Sequence, residues 1–442
     1  MVVFFRYKFE HLRKSFFKYL INEDESNNTV IEEQESNLAS LATFTKIPLL
    51  FMTATFSTEM KQTLERIIGI KILTDNTFWG NVKDMTRRNI SIEVSSHPQY
   101  LNSFKSEVKK AFADGSNKKA IVYLNTAYEA KKFKEKIDMW LDEESPFEGD
   151  LVLIYGDMHQ EVKAEIITAF TSTLSVDEHM KSKQIYPRIL IATSGSVGAG
   201  LDSTAINLVY RIGCPGSVFE FIQEMGRCGR VIVHGNPVNS NKYSIHLSLE
   251  DYIYMYKHIH AAKNRQDGVL TISEQNKMQE KYLFSVLRLL VLKRVCYHKA
   301  LEMWQANVTI DNDGPSNCDN ACPRCNKEDE KMFLTVNQKN VKKALVDIFI
   351  RGGECYMTPM QLCKKLQEIK QYHSKLFNKT NKKHVLIYHV KGLILQLLAT
   401  GIIFLKVKRE VDDETLSIFC ALGMDDDLNP SYTVQASWAG ID

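Results

Sequence analysis

The sequence has little that would place the protein in or across a membrane. No apolar run reaches the roughly 18 residues that a membrane-spanning helix needs, and a five-residue apolar opening that turns basic makes a poor secretion signal. Both absences argue against an exported protein and for a reducing compartment. The nine cysteines are therefore expected as thiols, and clustered thiols indicate metal binding more than disulfides.

Basic residues are missing from two segments of the chain and dominate a third. Residues 21–45 hold six acidic residues and residues 411–442 hold seven, with no Lys or Arg in either, whereas residues 331–410 hold sixteen Lys or Arg and four acidic residues. The basic block predicts a polyanion-binding surface, with a merely solvated face as the alternative. Hydrophobic content of 44% over 442 residues is typical of a globular protein with two to four domains.

The densest pattern in the chain lies in residues 188–230. Apolar runs over 189–192 and 206–212 predict two buried strands. Between them, residues 193–200 hold three glycines and two serines, so the backbone turns sharply or approaches a ligand closely. Similar runs alternate with helical patterns over much of the chain, as in a parallel sheet covered by helices. Strands are predicted at 86–94, 119–125, 151–158 and 242–248, and helices at 126–141, 160–170 and 217–225.

Two arginines, Arg227 and Arg230, follow the last of these predicted helices with Gly229 between them. Guanidinium groups on a short glycine-punctuated segment suit bidentate contact with phosphate oxygens. The alternative is an ordinary loop with two surface arginines.

The sequences GAGLD (198–202) and QEMGRCGR (223–230) together resemble motifs V and VI of the RecQ family of superfamily 2 DNA helicases. The TAT tripeptide at 53–55 resembles motif III. This resemblance implies an α/β fold: a RecA-like parallel-sheet motor lobe over 85–250, preceded by a remnant of a first lobe over 1–84. A helical zinc-binding domain (251–330) and a winged-helix-like α+β domain (331–442) would follow.

The resemblance also implies residue roles in binding ATP with Mg²⁺. Arg227 and Arg230 would reach the γ-phosphate, where such arginines stabilise the charge of the transferring phosphoryl group. Gln223 would orient groups near the same site. Asp202 would face the sugar or the water network between the lobes, and Gly200 is a further implied cofactor-binding residue. We expect this chemistry to converge at the ends of several strands, where open α/β sheets bind ligands.

Three threonines are the DNA contacts that the resemblance implies: Thr53, Thr126 and Thr193. Their hydroxyl and nearby amide groups would bind phosphates of the strand along which the motor moves. A helix cap or a strand-end hydroxyl is the alternative role, and Thr126 is also the predicted N-cap of the helix over 126–141.

No GxxxxGK[ST] phosphate loop and no DExH-type acidic motif occur in the 442 residues. The β- and γ-phosphates of ATP then lack a lysine and amide cradle, and Mg²⁺ lacks its carboxylate. One hypothesis is a truncated or split RecQ-like 3′–5′ DNA helicase whose first lobe is encoded elsewhere or supplied by a separate chain. The other is a non-enzymatic DNA-binding module. Expected partners are single-stranded DNA and duplex junctions, with no membrane, and the family resemblance implies nuclear localisation.

Four cysteines, Cys296, Cys318, Cys322 and Cys325, have the spacing C-x21-C-x3-C-x2-C. Four thiolates with two tight spacings suit a closed tetrahedral Zn²⁺ site, which can stabilise a small domain. The pattern also resembles the RecQ zinc-binding domain. Unligated cysteines in a loop are the alternative.

Residues from 339 onward predict three helices and a hairpin. The first helix covers 339–350, the second starts at Thr358 and Pro359 as cap and first helical residue, and the third ends at Gly401. Alternation then predicts a β-hairpin that turns at 412–413. The order resembles the RecQ winged-helix domain, and a protein-binding helical module is the alternative.

Overall fold

The structure is a computed structural model that describes a little over half of the chain. The described residues are 87, 89–96, 99–112, 118–143, 150–172, 187–197, 201, 203–230, 241–261, 272–292, 296–305, 322–325, 338–353, 356–368, 387–409 and 416–422. They fall in two compact units, of which the smaller holds 272–277 and 300–305 and the larger holds the rest. Within these residues, every helix is too short or too polar to span a bilayer.

A six-stranded parallel sheet lies at the centre of the larger unit, in the order β1-β6-β5-β2-β4-β3. The central strands β2, β4 and β5 are buried along almost their whole length because helices cover both faces. This confirms the predicted parallel sheet. The strands are β1 (Ser91–Ser95), β2 (Lys119–Leu124), β3 (Asp150–Ile154), β4 (Pro187–Thr193), β5 (Ile206–Ile212) and β6 (Lys242–His246).

Helices alternate with these strands, as the sequence predicts, and one further helix was not predicted. That helix, α1, contributes Phe104, Val108 and Phe112 to the core on one face of the sheet. Its apolar residues recur every four positions, so the signal was present in the sequence. The helices are α1 (Tyr100–Phe112), α2 (Ala127–Glu143), α3 (Gln160–Thr171), α4 (Val218–Met225) and α5 (Leu249–Ala261).

Three predicted strand boundaries are wrong because turns and caps take over the strand ends. The prediction began β1 at residue 86, but Ile90 N–H bonds to Arg87 O (3.1 Å) in a turn. It carried β3 to residue 158, where Met158 N–H bonds to Tyr155 O (3.3 Å). It carried β6 to Ser248, whose hydroxyl instead accepts from an amide in the first turn of α5.

The remaining elements lie after residue 271. They are α6 (Ile272–Val291), α7 (Tyr297–Gln305), α8 (Gln338–Leu345) continued by a π-helix (Val346–Arg351), α9 (Pro359–Glu368), α10 (Ile387–Ala399) and the antiparallel strands β7 (Ile403–Arg409) and β8 (Leu416–Leu422). Thr358 Oγ1 accepts from Gln361 N–H (3.2 Å), which confirms the predicted cap of α9. Gly401 (φ +75°) ends α10 as predicted, in a left-handed conformation that favours glycine.

The helices α9 and α10 and the strands β7 and β8 pack together and against α5. The inner face of the hairpin contacts α9 and α10, and Met357 pairs with Cys420 in an antiparallel bridge. Tyr256 on α5 donates to Leu405 O (2.9 Å), and Glu250 forms an ion pair with Lys391. The hairpin is therefore part of the same compact unit as the parallel sheet.

Candidate functional site

The carboxyl ends of β2 and β4 lie side by side and carry two of the predicted threonines. Leu124 and Thr193 are register partners, and Ser194 N–H bonds to Leu124 O (3.1 Å). Thr126 caps α2: its hydroxyl accepts from Glu129 N–H (3.1 Å) and donates to the Glu129 carboxylate (3.0 Å). The predicted N-cap is confirmed, and the structure brings Thr126 and Thr193 to neighbouring strand ends.

A fully buried arginine that the sequence analysis missed joins these strand ends. Arg211, near the end of β5, donates to Asn125 Oδ1 and to Ser194 Oγ. Asn125 and Ser194 are the chain neighbours of Thr126 and Thr193. The signal in the sequence was a charged residue inside an otherwise apolar strand. We call the group around this guanidinium the strand-end cluster, which consists of Asn125, Ser194, Arg211, Glu220 and Glu224.

Two carboxylates of α4 balance the buried charge of Arg211. Glu224 lies 2.6 Å from its guanidinium and Glu220 lies 3.3 Å away. Burial by itself lowers the pKa of Arg211, but the two carboxylates outweigh burial and raise it above its ordinary value. Burial raises the pKa of Glu224, and the Arg211 charge opposes that shift. Tyr243 on β6 donates a further hydrogen bond to Glu224 (2.8 Å), while Nε of Arg211 has no hydrogen-bond partner among the described residues.

A glycine makes room for the amide of the cluster. Gly213 follows β5 with φ +100°, a conformation that disfavours side chains. A Cβ atom at this position would lie 2.5 Å from Asn125 Nδ2. The glycine therefore serves both the turn after β5 and the close approach of Asn125.

The predicted phosphate-binding arginines lie in residues 226–230, which we call the arginine segment. Gly229 N–H bonds to Ile206 O (3.1 Å), so the segment lies at the amino end of β5. Arg227 donates to Leu201 O (2.9 Å) and to the hydroxyl of Tyr123, whose pKa is raised by burial. Asn89 Nδ2 donates to Gly229 O (2.8 Å) and fastens the segment from the other side.

The predicted site residues thus form two groups rather than one. Thr126 and Thr193 lie at the carboxyl ends of β2 and β4, whereas the backbone of Arg227 and Arg230 lies towards the opposite end of β5. Gly229 lies at the amino end of β5 because α4 runs back along the sheet, whereas the Arg227 side chain reaches Tyr123 on β2. Gln223 is half-buried on α4. Four predicted residues lie outside the described part of the chain: Thr53, Gly200, Asp202 and Cys318.

Three of the four predicted metal ligands lie together. The sulfur atoms of Cys296, Cys322 and Cys325 are all within 4.8 Å of one another, and we call them the cysteine cluster. Cys296 Sγ and Cys322 Sγ are 3.7 Å apart. That separation fits a tetrahedral thiolate site, in which bonds of about 2.3 Å place the sulfurs about 3.8 Å apart. The donor set therefore fits a soft divalent metal ion such as Zn²⁺.

A buried histidine and an arginine support the cysteine cluster. His298 Nδ1 lies 3.9 Å from Cys296 Sγ, and the same side chain hydrogen-bonds Cys322. Hydrogen bonding with Cys296 and His298 lowers the pKa of Cys322, which favours the thiolate that a metal ion requires. Arg324 stacks on Tyr297 (3.6 Å to the ring centroid) and donates to the last carbonyls of α6, which anchors residues 322–325.

Comparison with protein families gives one match. Residues 103–232 match the helicase conserved C-terminal domain. The chain therefore contains a helicase C-terminal domain, which spans the strand-end cluster and the arginine segment. No curated protein matches the chain.

Three solved structures are among those similar to the chain at low identity. The first is the Mycobacterium smegmatis helicase Lhr bound to ssDNA and AMP-PNP (16% identity, TM-score 0.27, 50% of this chain and 28% of that chain). The second is S. cerevisiae Dbp5 bound to RNA and ADP BeF3 (16% identity, TM-score 0.31, 52% of this chain and 54% of that chain). The third is E. coli DEAD-box protein SrmB bound to RraA (15% identity, TM-score 0.25, 43% of this chain and 95% of that chain). The chain spans less than two thirds of the length of the first two of these proteins. The assignment of a helicase C-terminal domain therefore rests on the family match alone.

Proposed function

We propose that this chain is the second-lobe part of a RecQ-like, ATP-dependent 3′–5′ DNA helicase. The observation that carries the proposal is the arginine segment, held in a fixed conformation within a helicase C-terminal domain. Gly229 occupies a left-handed conformation (φ +63°) there, so the backbone places Arg227 and Arg230 on either side of a sharp turn. Two guanidinium groups so placed suit a polyphosphate.

Nucleic-acid binding is proposed for the carboxyl ends of β2 and β4. Thr126 is the N-cap of α2, and the amino end of a helix attracts phosphate oxygens. Thr193 ends the neighbouring strand, where it is the register partner of Leu124, so the two threonines lie at adjacent strand ends. Contacts of this kind hold the phosphate backbone without reading its sequence.

ATP with Mg²⁺ is proposed to bind between this lobe and a first motor lobe. When bound, ATP supplies the phosphoryl group whose hydrolysis drives movement along DNA. The arginine segment fits the charge of that group, and the rest of the phosphate cradle would come from a GxxxxGK[ST] loop that these 442 residues do not contain. The proposed task of Arg227 and Arg230 is to stabilise negative charge on the γ-phosphate, which can raise the rate about 10³–10⁵-fold.

Two further modules are part of the proposal. We propose that the cysteine cluster holds Zn²⁺, with Cys318 as the fourth ligand. We also propose that α8, α9, α10 and the β7–β8 hairpin form a winged-helix-like domain that contacts duplex phosphates. The support is the element order and the basic side chains of the described part of this region, such as Lys406 and Lys408 on one face of β7.

The proposal is tested by binding and by reconstituted hydrolysis. The zinc-loaded full chain should bind fluorescein-labelled oligothymidine with an affinity that falls as salt rises, measured by fluorescence anisotropy. A first motor lobe with a phosphate loop, fused ahead of the chain, should give DNA-stimulated ATP hydrolysis that Arg230→Ala abolishes. Salt-sensitive binding without hydrolysis in the fusion would favour a non-enzymatic DNA-binding module instead. Absence of binding would contradict both.

A further inference from the structure

We propose that Arg211 is a positioning residue: it fixes the spacing between the strand ends that carry Thr126 and Thr193, and thereby sets how tightly the lobe holds a nucleic-acid strand. This inference rests on the proposed nucleic-acid binding at those strand ends. Arg211 itself is fully buried, so it acts on the ligand only through its neighbours.

The geometry of the guanidinium is that of a clamp between two loops. One terminal nitrogen, Nη2, donates to Asn125 Oδ1 and to Cys214 O (2.9 Å). The other, Nη1, donates to Ser194 Oγ. Asn125 and Ser194 each lie next to a threonine proposed to contact phosphate, so a planar, rigid group joins both positions.

The clamp is held from behind by α4. Glu224 lies 2.6 Å from Arg211 Nη1 and accepts a second hydrogen bond from Tyr243. This ion pair gives the guanidinium an anchor on α4 that lies outside the two loops. It can therefore order them relative to each other, as a preformed binding surface requires.

Arginine is the side chain that this arrangement needs. A lysine at the same place carries a single point charge and lacks the fixed fork that reaches Asn125 and Ser194 in different directions. An ion pair alone would be kept in Arg211→Lys, but the spacing between the two loops would not.

The test removes the two side chains that accept hydrogen bonds from Arg211 in the loops, and it leaves the buried ion pair with Glu224 in place. In Asn125→Ala/Ser194→Ala we expect the affinity of the full chain for oligothymidine to fall about tenfold. That factor corresponds to losing one charge-assisted hydrogen bond, here the contact between Thr193 and a phosphate. Ser194→Thr in the wild-type background keeps a hydroxyl acceptor and should bind as the wild type does. Arg188→Met is the matched control, because Arg188 is buried near the amino end of β4 and bonds to Lys118 O.

A purely structural role is distinguished by coupling to Thr193. If Arg211 acts through the strand ends, Thr193→Val lowers affinity in the wild type but adds less than about twofold in Asn125→Ala/Ser194→Ala, since the contact is already lost. Circular dichroism and thermal unfolding select folded variants, and the single variants replace the double one if it does not fold. The inference is wrong if the folded Asn125→Ala/Ser194→Ala variant binds oligothymidine like the wild type. It is also wrong if the affinity losses of this variant and of Thr193→Val are additive. A wild-type chain that does not bind oligothymidine overturns the proposed function instead.

Discussion

The strand-end cluster and the cysteine cluster both bury ionisable side chains, but the first gathers them from distant parts of the chain and the second from a short stretch. The strand-end cluster draws Asn125, Ser194, Arg211 and Glu224 from separate strands and a helix, across almost a hundred residues of the chain. The described part of the cysteine cluster comes from Cys296 and the short segment 322–325. The first group is a product of the whole sheet, and the second is a product of local spacing.

The two clusters also differ in what completes them. In the strand-end cluster the protein itself supplies both charges and the polar groups around them. In the cysteine cluster three sulfurs lie within 4.8 Å of one another, and thiolates at that distance repel. A cation between them would offset this repulsion, which is why we propose a metal there. The charges of the strand-end cluster are thus balanced by the protein itself, whereas we propose that the cysteine cluster is stabilised by a bound metal ion.

The largest effect should come from breaking the strand-end cluster. Arg211→Met leaves the Glu224 carboxylate buried without its cation, and such losses cost about 3–5 kcal/mol. We expect the free energy of unfolding of the sheet unit to fall by that amount, measured by denaturant unfolding. The matched change at the exposed pair, Arg351→Met, should alter it by less than about 1 kcal/mol, since Arg351 is 71% exposed.

Removing the second charge sharpens this result. In Arg211→Met/Glu224→Gln the buried carboxylate is replaced by a neutral amide that still accepts from Tyr243. Part of the lost stability should return, because the larger share of the cost is the unpaired charge. A double variant less stable than Arg211→Met would show that the ion pair is not the reason for the loss.

The second effect concerns the cysteine cluster. His298→Ala removes a buried group that hydrogen-bonds Cys322 and lies 3.9 Å from Cys296 Sγ. Outer partners of this kind typically change metal affinity about 10–100-fold. We expect weaker Zn²⁺ retention in competition with a chelator, while the visible d–d bands of the cobalt-loaded chain keep their position and intensity. A shift of those bands would instead make His298 a ligand.

The comparison also explains how far the sequence could predict the structure. Apolar periodicity predicts β2, β4, β5 and the helices between them, and cysteine spacing predicts a cluster that the structure assembles from Cys296, Cys322 and Cys325. These signals are local. Arg211 pairs with Asn125 and Ser194 only because β5 lies beside β2 in a strand order that does not follow the chain. No local pattern encodes that order, so the cluster and the separation of the arginines from the threonines could not be predicted.

The third effect tests the conformation of the arginine segment. Gly229→Ala places a Cβ at φ +63° and 2.9 Å from Asn89 Nδ2. The left-handed backbone alone costs a non-glycine residue about 1–2 kcal/mol. We expect a loss of stability larger than this backbone cost, measured by thermal unfolding, because the new methyl group also meets the Asn89 side chain. Gly195→Ala is the control for backbone strain, because its φ is +78° and no atom lies within 4 Å of its Cβ position. Equal losses would mean that the Asn89 contact contributes nothing.

The smallest effect separates the two roles of Thr126. Thr126→Ala removes the hydroxyl that accepts from Glu129 N–H, and loss of an N-cap costs about 1 kcal/mol. Thr126→Asn retains a capping oxygen, so the free energy of unfolding should stay within about 0.5 kcal/mol of the wild type. If the hydroxyl serves only the cap, both variants bind oligothymidine as the wild type does once they are folded. If it also contacts phosphate, Thr126→Asn keeps its stability and still loses affinity, and the strand ends are then a binding surface as well as a structural joint.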